Sequence, residues 1–381
     1  MKLNLKNPSE VKVSLLSYGI DCDIDIFANY EGDFYENLYV YGNTNQAENH
    51  HRFPQVLLLG NGVVSAFLRR ERSPWTLRIK DGNCVRLYHR GEYVQDVRLP
   101  EIPAYYGKRL SDSSLSDKII AVAGEQTPGF FIYPKCYYFD EGTFCKFCSL
   151  KPSRRTVASE LEASFENGKL AEATRLFQNT PWRDMPIVSI TAGTARTDEE
   201  THRGIIEKIR TVYNALDPKI PIHILVHPPH DLAMIDEYRG AGITSIAFNI
   251  EVFDRELFAK ICPGKNKDYG YNKWMEALRY ARDVFGDYNA FCGLVWGLEP
   301  PENVKRAHRE YLDQGIGITS NIFHNDPKTP MRRHQHPSEE FIMDIAHDQQ
   351  ELYNRYPEAR TIFPMSMRST IDWEIHRRDY R

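Results

Sequence analysis

Beyond residue 118 the chain alternates short apolar runs with longer amphipathic segments. The runs are GFFIY (129–133), PIVSIT (186–191), IPIHILV (220–226), ITSIAFNI (243–250), NAFCGLVW (289–296) and GITSNIF (317–323). Each is short and rich in β-branched or aromatic residues, as strands buried on both faces are. Between them, residues 157–178, 198–215, 230–240, 270–285 and 301–314 carry helical periodicity. A further helix over 338–355 follows the last run, opened by Pro337-Ser338-Glu339-Glu340. Strands alternating with helices predict βα units and a parallel sheet. Six such units predict an α/β fold, a partial (β/α)6 TIM-like barrel. Residues 1–115 read differently. Extended runs such as QVLLLGNGVVSAFL, WTLRI and VRLYHR, broken by GNG and DGN, predict a small sheet of hairpins. The expected division is a β-rich accessory region (1–115), a barrel (116–355) and a tail (356–381). The accessory region and the tail are candidates to cover an open barrel, the tail's other reading being a segment that packs on the surface.

Composition narrows the function classes. The chain has 381 residues and a formal charge of −4, with 41% hydrophobic residues, enough for a sizeable core. A basic excess of the nucleic-acid-binding kind is absent. Its longest basic clusters, Arg69-Arg70 with Arg72 and Arg332-Arg333, read as solvated surface. The N-terminus lacks the apolar core of a signal peptide, and no window approaches the ~18 apolar residues of a membrane span. No nucleic-acid or membrane partner and a cytoplasmic location are expected. Seven cysteines, three of them within CYYFDEGTFCKFC (136–148), point to metal or redox chemistry rather than a disulfide framework.

In βα sheets reactive groups gather at the C-terminal ends of the strands. Cys136 follows the first run, Cys145 lies nine residues on and Cys148 three further. Three thiolates suit zinc with a fourth ligand, or a four-iron, four-sulfur cluster with one iron open to a small molecule. A non-catalytic zinc protein is therefore one reading. However, no further Cys or His lies between residues 91 and 200 to complete a zinc site. Other polar groups at strand ends are pocket candidates: His227 ahead of His223, then His324, Asn325 and Asp326. Glu299 is placed to contact a ligand or to cap the next helix.

With these motifs in register, the chain resembles the radical S-adenosylmethionine (radical SAM) superfamily. The usual Cys-x3-Cys-x2-Cys signature is enlarged here to Cys-x8-Cys-x2-Cys. Phe147, before the last cysteine, matches the family's aromatic residue near the adenine. SITAGTA (189–195) resembles the segment that receives the methionine amino group, which implies Thr191, Ala192, Gly193 and Thr194. AFNIE (247–251) resembles the Asn-x-Glu pair of biotin and lipoyl synthases that holds the ribose, which implies Asn249 and Glu251. GLVWGLE (293–299) resembles the segment along the adenine, which implies Val295 and Gly297. His324 follows the strand that runs along SAM in related enzymes. The resemblance spans about residues 115–350 and is nearest to the biotin and lipoyl synthase branch.

The resemblance implies a 4Fe-4S cluster on Cys136, Cys145 and Cys148, SAM chelated to the open iron, and a flavodoxin- or ferredoxin-type electron donor. Reductive cleavage of SAM and hydrogen abstraction from an unactivated C–H bond of a small molecule follow, in cofactor or natural-product biosynthesis. Sulfur insertion, the alternative, needs a second cluster. Cys292 lies one residue from the position where biotin synthase keeps a second-cluster ligand, so it is expected to face the other way. Cys262, in the loop ICPGK, is expected to be the more exposed thiol and a candidate hydrogen donor. His227 is the second catalytic candidate.

Overall fold

The N-terminal region begins with a helix that its strand-like texture hid. In the computed structural model, which describes residues 3–23, 25–27, 53–150, 167–180, 186–326 and 329–380, α1 spans Pro8–Tyr18. Asn7 caps it, its side chain accepting from the Ser9 N–H at 3.1 Å, and Pro8 occupies the first turn. Residues Pro8 to Ser17 are all buried, which marks a helix lying between layers. Val11 and Leu15 pack on the N-terminal sheet, whereas Val13 and Leu16 join the barrel's core.

That N-terminal sheet holds β1 (Val56–Leu58), β2 (Val64–Ala66), β3 (Trp75–Asp81), β4 (Cys84–His89) and β5 (Glu92–Arg98). Its order is β2-β1-β5-β4-β3, and its strand pairs are antiparallel. The GNG and DGN signals do turn the chain between β1 and β2 and between β3 and β4.

The second sheet begins with β6 (Ile120–Ala123), which the sequence reading did not anticipate. It pairs antiparallel with β7 (Thr127–Cys136). The chain then runs through α2 (Asn167–Asn179), β8 (Val188–Thr194), α3 (Gly204–Ala215), β9 (Ile222–Leu225), α4 (Ala233–Gly240) and β10 (Ser245–Ala247). Two short helices follow, α5 (Arg255–Ile261) and α6 (Pro263–Asp268), then α7 (Gly270–Phe285), β11 (Ala290–Trp296), α8 (Pro301–Asp313), β12 (Gly317–Ile322) and α9 (Glu339–Arg355). The sheet order is β12-β11-β10-β9-β8-β7-β6, and the six strands from β7 to β12 are parallel. The fold is thus α/β, a half-barrel of six βα units with one antiparallel edge strand. The first part of the helix expected over 157–178 lies outside the described residues.

The parallel strands are apolar because both faces are covered: all seven residues of β11 are buried. On the outer layer α7 turns Trp274, Leu278, Ala281 and Phe285 inward at helical spacing. Ser338 caps α9, accepting from the Phe341 N–H at 3.1 Å, as its sequence suggested.

The C-terminal segment closes the open side of the barrel. The Ala66 N–H donates to the Arg368 carbonyl and the Ile322 N–H to the Ser369 carbonyl, both at 2.8 Å. The segment is thereby wedged between β2 and β12. Asp372, at the start of α10 (Asp372–His376), accepts from the Ser320 N–H and from the Ser320, Thr319 and Thr370 hydroxyls. Lys12 of α1 is fully buried and reaches the Met367 carbonyl at 2.6 Å, Ser366 at 3.0 Å and Glu374 at 2.8 Å. One ammonium therefore ties the first helix to the last. Among the described residues no helix is long and apolar enough to cross a membrane.

Candidate active site

The C-terminal ends of the six parallel strands surround one partly open cavity of about 420 Å³. Its position follows from strand register. Cys136, the last residue of β7, pairs with Thr194, the last of β8. These two strands approach closely because residue 193 has no side chain: a Cβ there would fall 1.7 Å from the Lys135 carbonyl oxygen. The same argument holds across the barrel. A Cβ on Gly293 would meet the Asn249 side chain at 2.5 Å.

Cys136, Cys145 and Cys148 all face this cavity, with Phe147 between them. The loop that carries them is stapled to the segment joining α5 and α6. The Lys146 N–H donates to the Ile261 carbonyl at 2.9 Å, and the Gly264 N–H to the Thr143 carbonyl at 2.8 Å. Gly264 is required here, since a Cβ would sit 2.4 Å from the Tyr138 ring. Burial pushes the Cys136 thiol up to about 11 and raises Cys148 further. Cys145 is instead lowered, because Cys262 donates its S–H to it and the Lys265 ammonium lies near. Cys262 is therefore not the exposed thiol expected. It is fully buried behind Cys145 and is not part of the cavity wall. Its place at the end of a helix that packs under the cysteine loop explains the difference.

Thr191, Ala192, Gly193, Thr194, Asn249, Glu251, Val295, His324 and His227 also line the cavity. Gly297 does not. Its φ of 107° and the packing of Pro337 against it make it a turn residue, and its carbonyl accepts from His334 Nε2 at 2.9 Å. Asn249 Oδ1 is buried without a hydrogen-bond partner, an acceptor for a donor on a bound molecule. Glu251 has a φ of 73°, a left-handed conformation that costs a non-glycine residue about 1–3 kcal/mol. The strained turn aims its carboxylate at Lys265 Nζ, 2.8 Å away, and that ammonium also donates to the Asn249 carbonyl at 2.8 Å. Burial alone would lower the Lys265 pKa, but Glu251 and the nearby thiols raise it, so it stays charged. In the sequence, the signal for Lys265 is its place in the CPGK run, three residues or about one helical turn after Cys262.

Both histidines of the third strand reach the cavity and both are satisfied. His223 Nδ1 bonds Ser245 Oγ at 2.8 Å. His227 Nδ1 lies 2.9 Å from the Pro228 carbonyl, so it carries the proton, and Nε2 accepts from the Tyr138 hydroxyl at 3.2 Å. Burial pushes each down to about 3, so both are neutral. Glu299 does not line the cavity and does not cap the helix that follows it. Its carboxylate accepts from the Phe253 and Asp254 N–H groups at 2.8 and 3.0 Å. Asp326 is buried on the cavity wall beside His324, 3.4 Å away. Cys292 is buried against Tyr311, away from the cavity.

Among the described residues, no three His, Cys, Asp or Glu side chains converge as ligands of a single metal ion do. The three cysteines nevertheless share one cavity, a spread that suits a cluster in which each thiolate binds a different iron. The remaining wall comes from outside the barrel: Ala66 at the end of β2 and Leu68 just after it, and Ile362, Phe363 and Met367 from the tail.

The chain is similar to several known proteins. Residues 132–308 match the model of the radical SAM superfamily. Over 320 residues, the chain is 21% identical to the bacteriochlorophyllide c C-7(1)-hydroxylase of Chlorobaculum limnaeum, covering 79% of this chain and 78% of that one. Among solved structures, a methylornithine synthase aligns at 17% identity and a TM-score of 0.46, covering 61% of this chain and 63% of that one. A radical SAM methyltransferase from Sphaerobacter thermophilus aligns at 14% identity and a TM-score of 0.45, covering 73% and 74%.

Proposed function

We propose, for a chain whose residues 132–308 make it a radical SAM enzyme with a 4Fe-4S cluster and SAM as cofactors, that the cavity abstracts hydrogen from a C–H bond of a tetrapyrrole macrocycle during its biosynthesis. A non-catalytic zinc protein is set aside with that membership. The observation that carries the reading is the shared cavity. Three cysteines, an unpartnered Asn249 oxygen and a strand end rich in small residues face one space at the barrel mouth.

Each residue then has a task. Cys136, Cys145 and Cys148 hold the cluster, which when bound supplies the electron that splits SAM into methionine and a 5′-deoxyadenosyl radical. The Thr191–Thr194 segment offers carbonyl and hydroxyl acceptors to the methionine ammonium. Asn249 Oδ1 and the Glu251 carboxylate accept from the ribose hydroxyls, as the Asn-x-Glu pair does in biotin and lipoyl synthases. Lys265 fixes both by holding the Asn249 carbonyl and Glu251 together. Phe147 and Val295 flank the adenine. His227, neutral and anchored to Tyr138, orients rather than transfers a proton. Phe131, Phe323, Phe363 and Met367 exclude water from the reacting carbon. The electron comes from a flavodoxin- or ferredoxin-type donor. The working division remains 1–115, 116–355 and 356–381.

The macrocycle follows from the hydroxylase relative, together with the apolar wall opposite the cysteines. Sulfur insertion is not the reading preferred here. Cys292 turns to Tyr311 and Cys262 lies behind Cys145, so neither offers a thiol to a second centre. The test is anaerobic reconstitution, reduction and addition of SAM. The enzyme should form 5′-deoxyadenosine, and deuterium from a labelled chlorin substrate should enter it. An alternative SAM fragment, or no deuterium transfer, would overturn the reading.

A further inference from the structure

The two arginine clusters lie some 260 residues apart in sequence yet face one space. Arg69 and Arg70, which follow β2, and Arg332 and Arg333, in the loop after β12, line a second cavity of about 400 Å³ with His324 and Asn325. Arg332 and Arg333 are exposed, as their reading as solvated surface expects; the structure adds that they face Arg69 and Arg70. The second cavity adjoins the first, because Leu68 and His324 belong to both walls.

The site is built rather than accidental. Arg70 donates to the Ser17 carbonyl at 2.7 Å and to His336 Nδ1. With Nδ1 accepting, the imidazole proton sits on Nε2 and is donated to Asn325 Oδ1. The Asn325 amide then donates to the Arg332 carbonyl at 2.9 Å. A continuous chain, Arg70–His336–Asn325–Arg332, thus locks the accessory region to the barrel loop and fixes the Arg70 side chain and the Arg332 backbone beside the space. His336 adds no charge, since burial and then Arg70 push it down to about 2.

The charge balance of this space is positive. Arg69 has Glu71 at 3.9 Å, Asp21 is spent on the Arg72 N–H, and Asp326 faces His324. Among the described residues Arg70, Arg332 and Arg333 have no carboxylate in ion-pair reach. Arg70 is half-buried, and desolvation pulls it down to about 9. A guanidinium kept from water without an anion is a binding group.

We propose that this arginine-lined cavity is a carboxylate subsite that anchors an acidic side chain of the substrate while its ring system extends past Leu68 and His324 into the cysteine cavity. The proposal deepens the tetrapyrrole reading and rests on it for the identity of the ring. It gives the substrate class as a free acid rather than an ester, and it assigns specificity to residues outside the SAM-facing wall.

The test uses cluster-loaded, SAM-bound enzyme and two matched pairs of probes. Pheophorbide a and its methyl ester differ in one carboxylate, and so do 2-naphthoate and 2-naphthamide. Arg332 and Arg333 are exposed, so the R332Q/R333Q double variant folds, which circular dichroism checks. The expected result is at least about tenfold tighter binding of the acid than the ester, with the preference lost in the double variant. Equal affinity for acid and ester, or a preference the variant retains, overturns the subsite. Should neither macrocycle bind, the small pair decides. Arginine-dependent preference for naphthoate keeps the subsite and removes the tetrapyrrole, whereas no preference removes the subsite.

Discussion

The two walls of the cysteine cavity are built in opposite ways. The cluster-side wall is local. Each of its residues sits at or just past the end of a parallel strand, in chain order, so the βα repeat delivers it to the rim without further help. The facing wall is assembled from the chain's extremes. Leu68 comes from the accessory region and Phe363 and Met367 from the tail, and they meet because Lys12 of α1 grips Met367, Ser366 and Glu374. On the proposed function, chemistry would reside in short motifs that folding places automatically, and recognition of the substrate in long-range closure.

The contrast predicts unequal sensitivity, and the strongest effect falls on the local wall. Cys136→Ala, Cys145→Ala or Cys148→Ala should each abolish 5′-deoxyadenosine formation and lower the iron content of reconstituted protein. Iron assay and product analysis check this. Cys262→Ala should keep its iron, since that thiol only donates to Cys145. Full iron and turnover in any one of the three ligand variants would remove the distinction between ligand and neighbour.

The next effect tests the assembled wall. Lys12→Met leaves Glu374 charged in a fully buried site, and removing one partner of a buried pair costs about 3–5 kcal/mol. Urea unfolding should show that loss. The double variant Lys12→Met/Glu374→Leu should recover most of it, because two apolar side chains need no compensation. If the single and double variants were equally unstable, packing rather than charge would hold the tail against α1.

Much of the local wall was legible because its signals are local. Each of the six parallel strands falls on an expected run, β9 to β12 within it and β7 and β8 extending past it, and thirteen of the fifteen site residues reach the cavity. The misses share a cause, dependence on distant contacts. Val11-Lys12-Val13 reads as extended, yet it is helical because burial between two layers outweighs the β preference of valine. Cys262 reads as a loop thiol, yet the cysteine loop packs over it. The edge strand β6 and the short helices α5 and α6 are too brief to show periodicity. The arginine pairs are the surface residues they read as, but nothing near either one in sequence reveals that they face each other.

A smaller effect separates positioning from packing on the cluster side. At Gly193 a Cβ would overlap the Lys135 carbonyl oxygen. Gly193→Ala must therefore part β7 from β8 at the root of the cysteine loop, a strain of about 3 kcal/mol. Lower thermal stability together with weaker cluster retention is expected. Lost stability with normal retention would mean the loop is held by the α5–α6 segment alone.

The mildest prediction belongs to the tail. Phe363 lines the cavity with its ring edge-on to His223, the centroids 6.0 Å apart. Phe363→Ala strips apolar surface from the substrate side while leaving every strand end in place. Losing part of an aromatic side chain's burial on binding corresponds to about a tenfold rise in substrate KM. The KM for SAM should move less than about twofold, because no SAM-facing group is altered and a twofold change is well under 1 kcal/mol. Steady-state kinetics with each substrate varied in turn resolve the two. Equal rises would mean that the tail contacts SAM as well, and the two walls would then share both ligands.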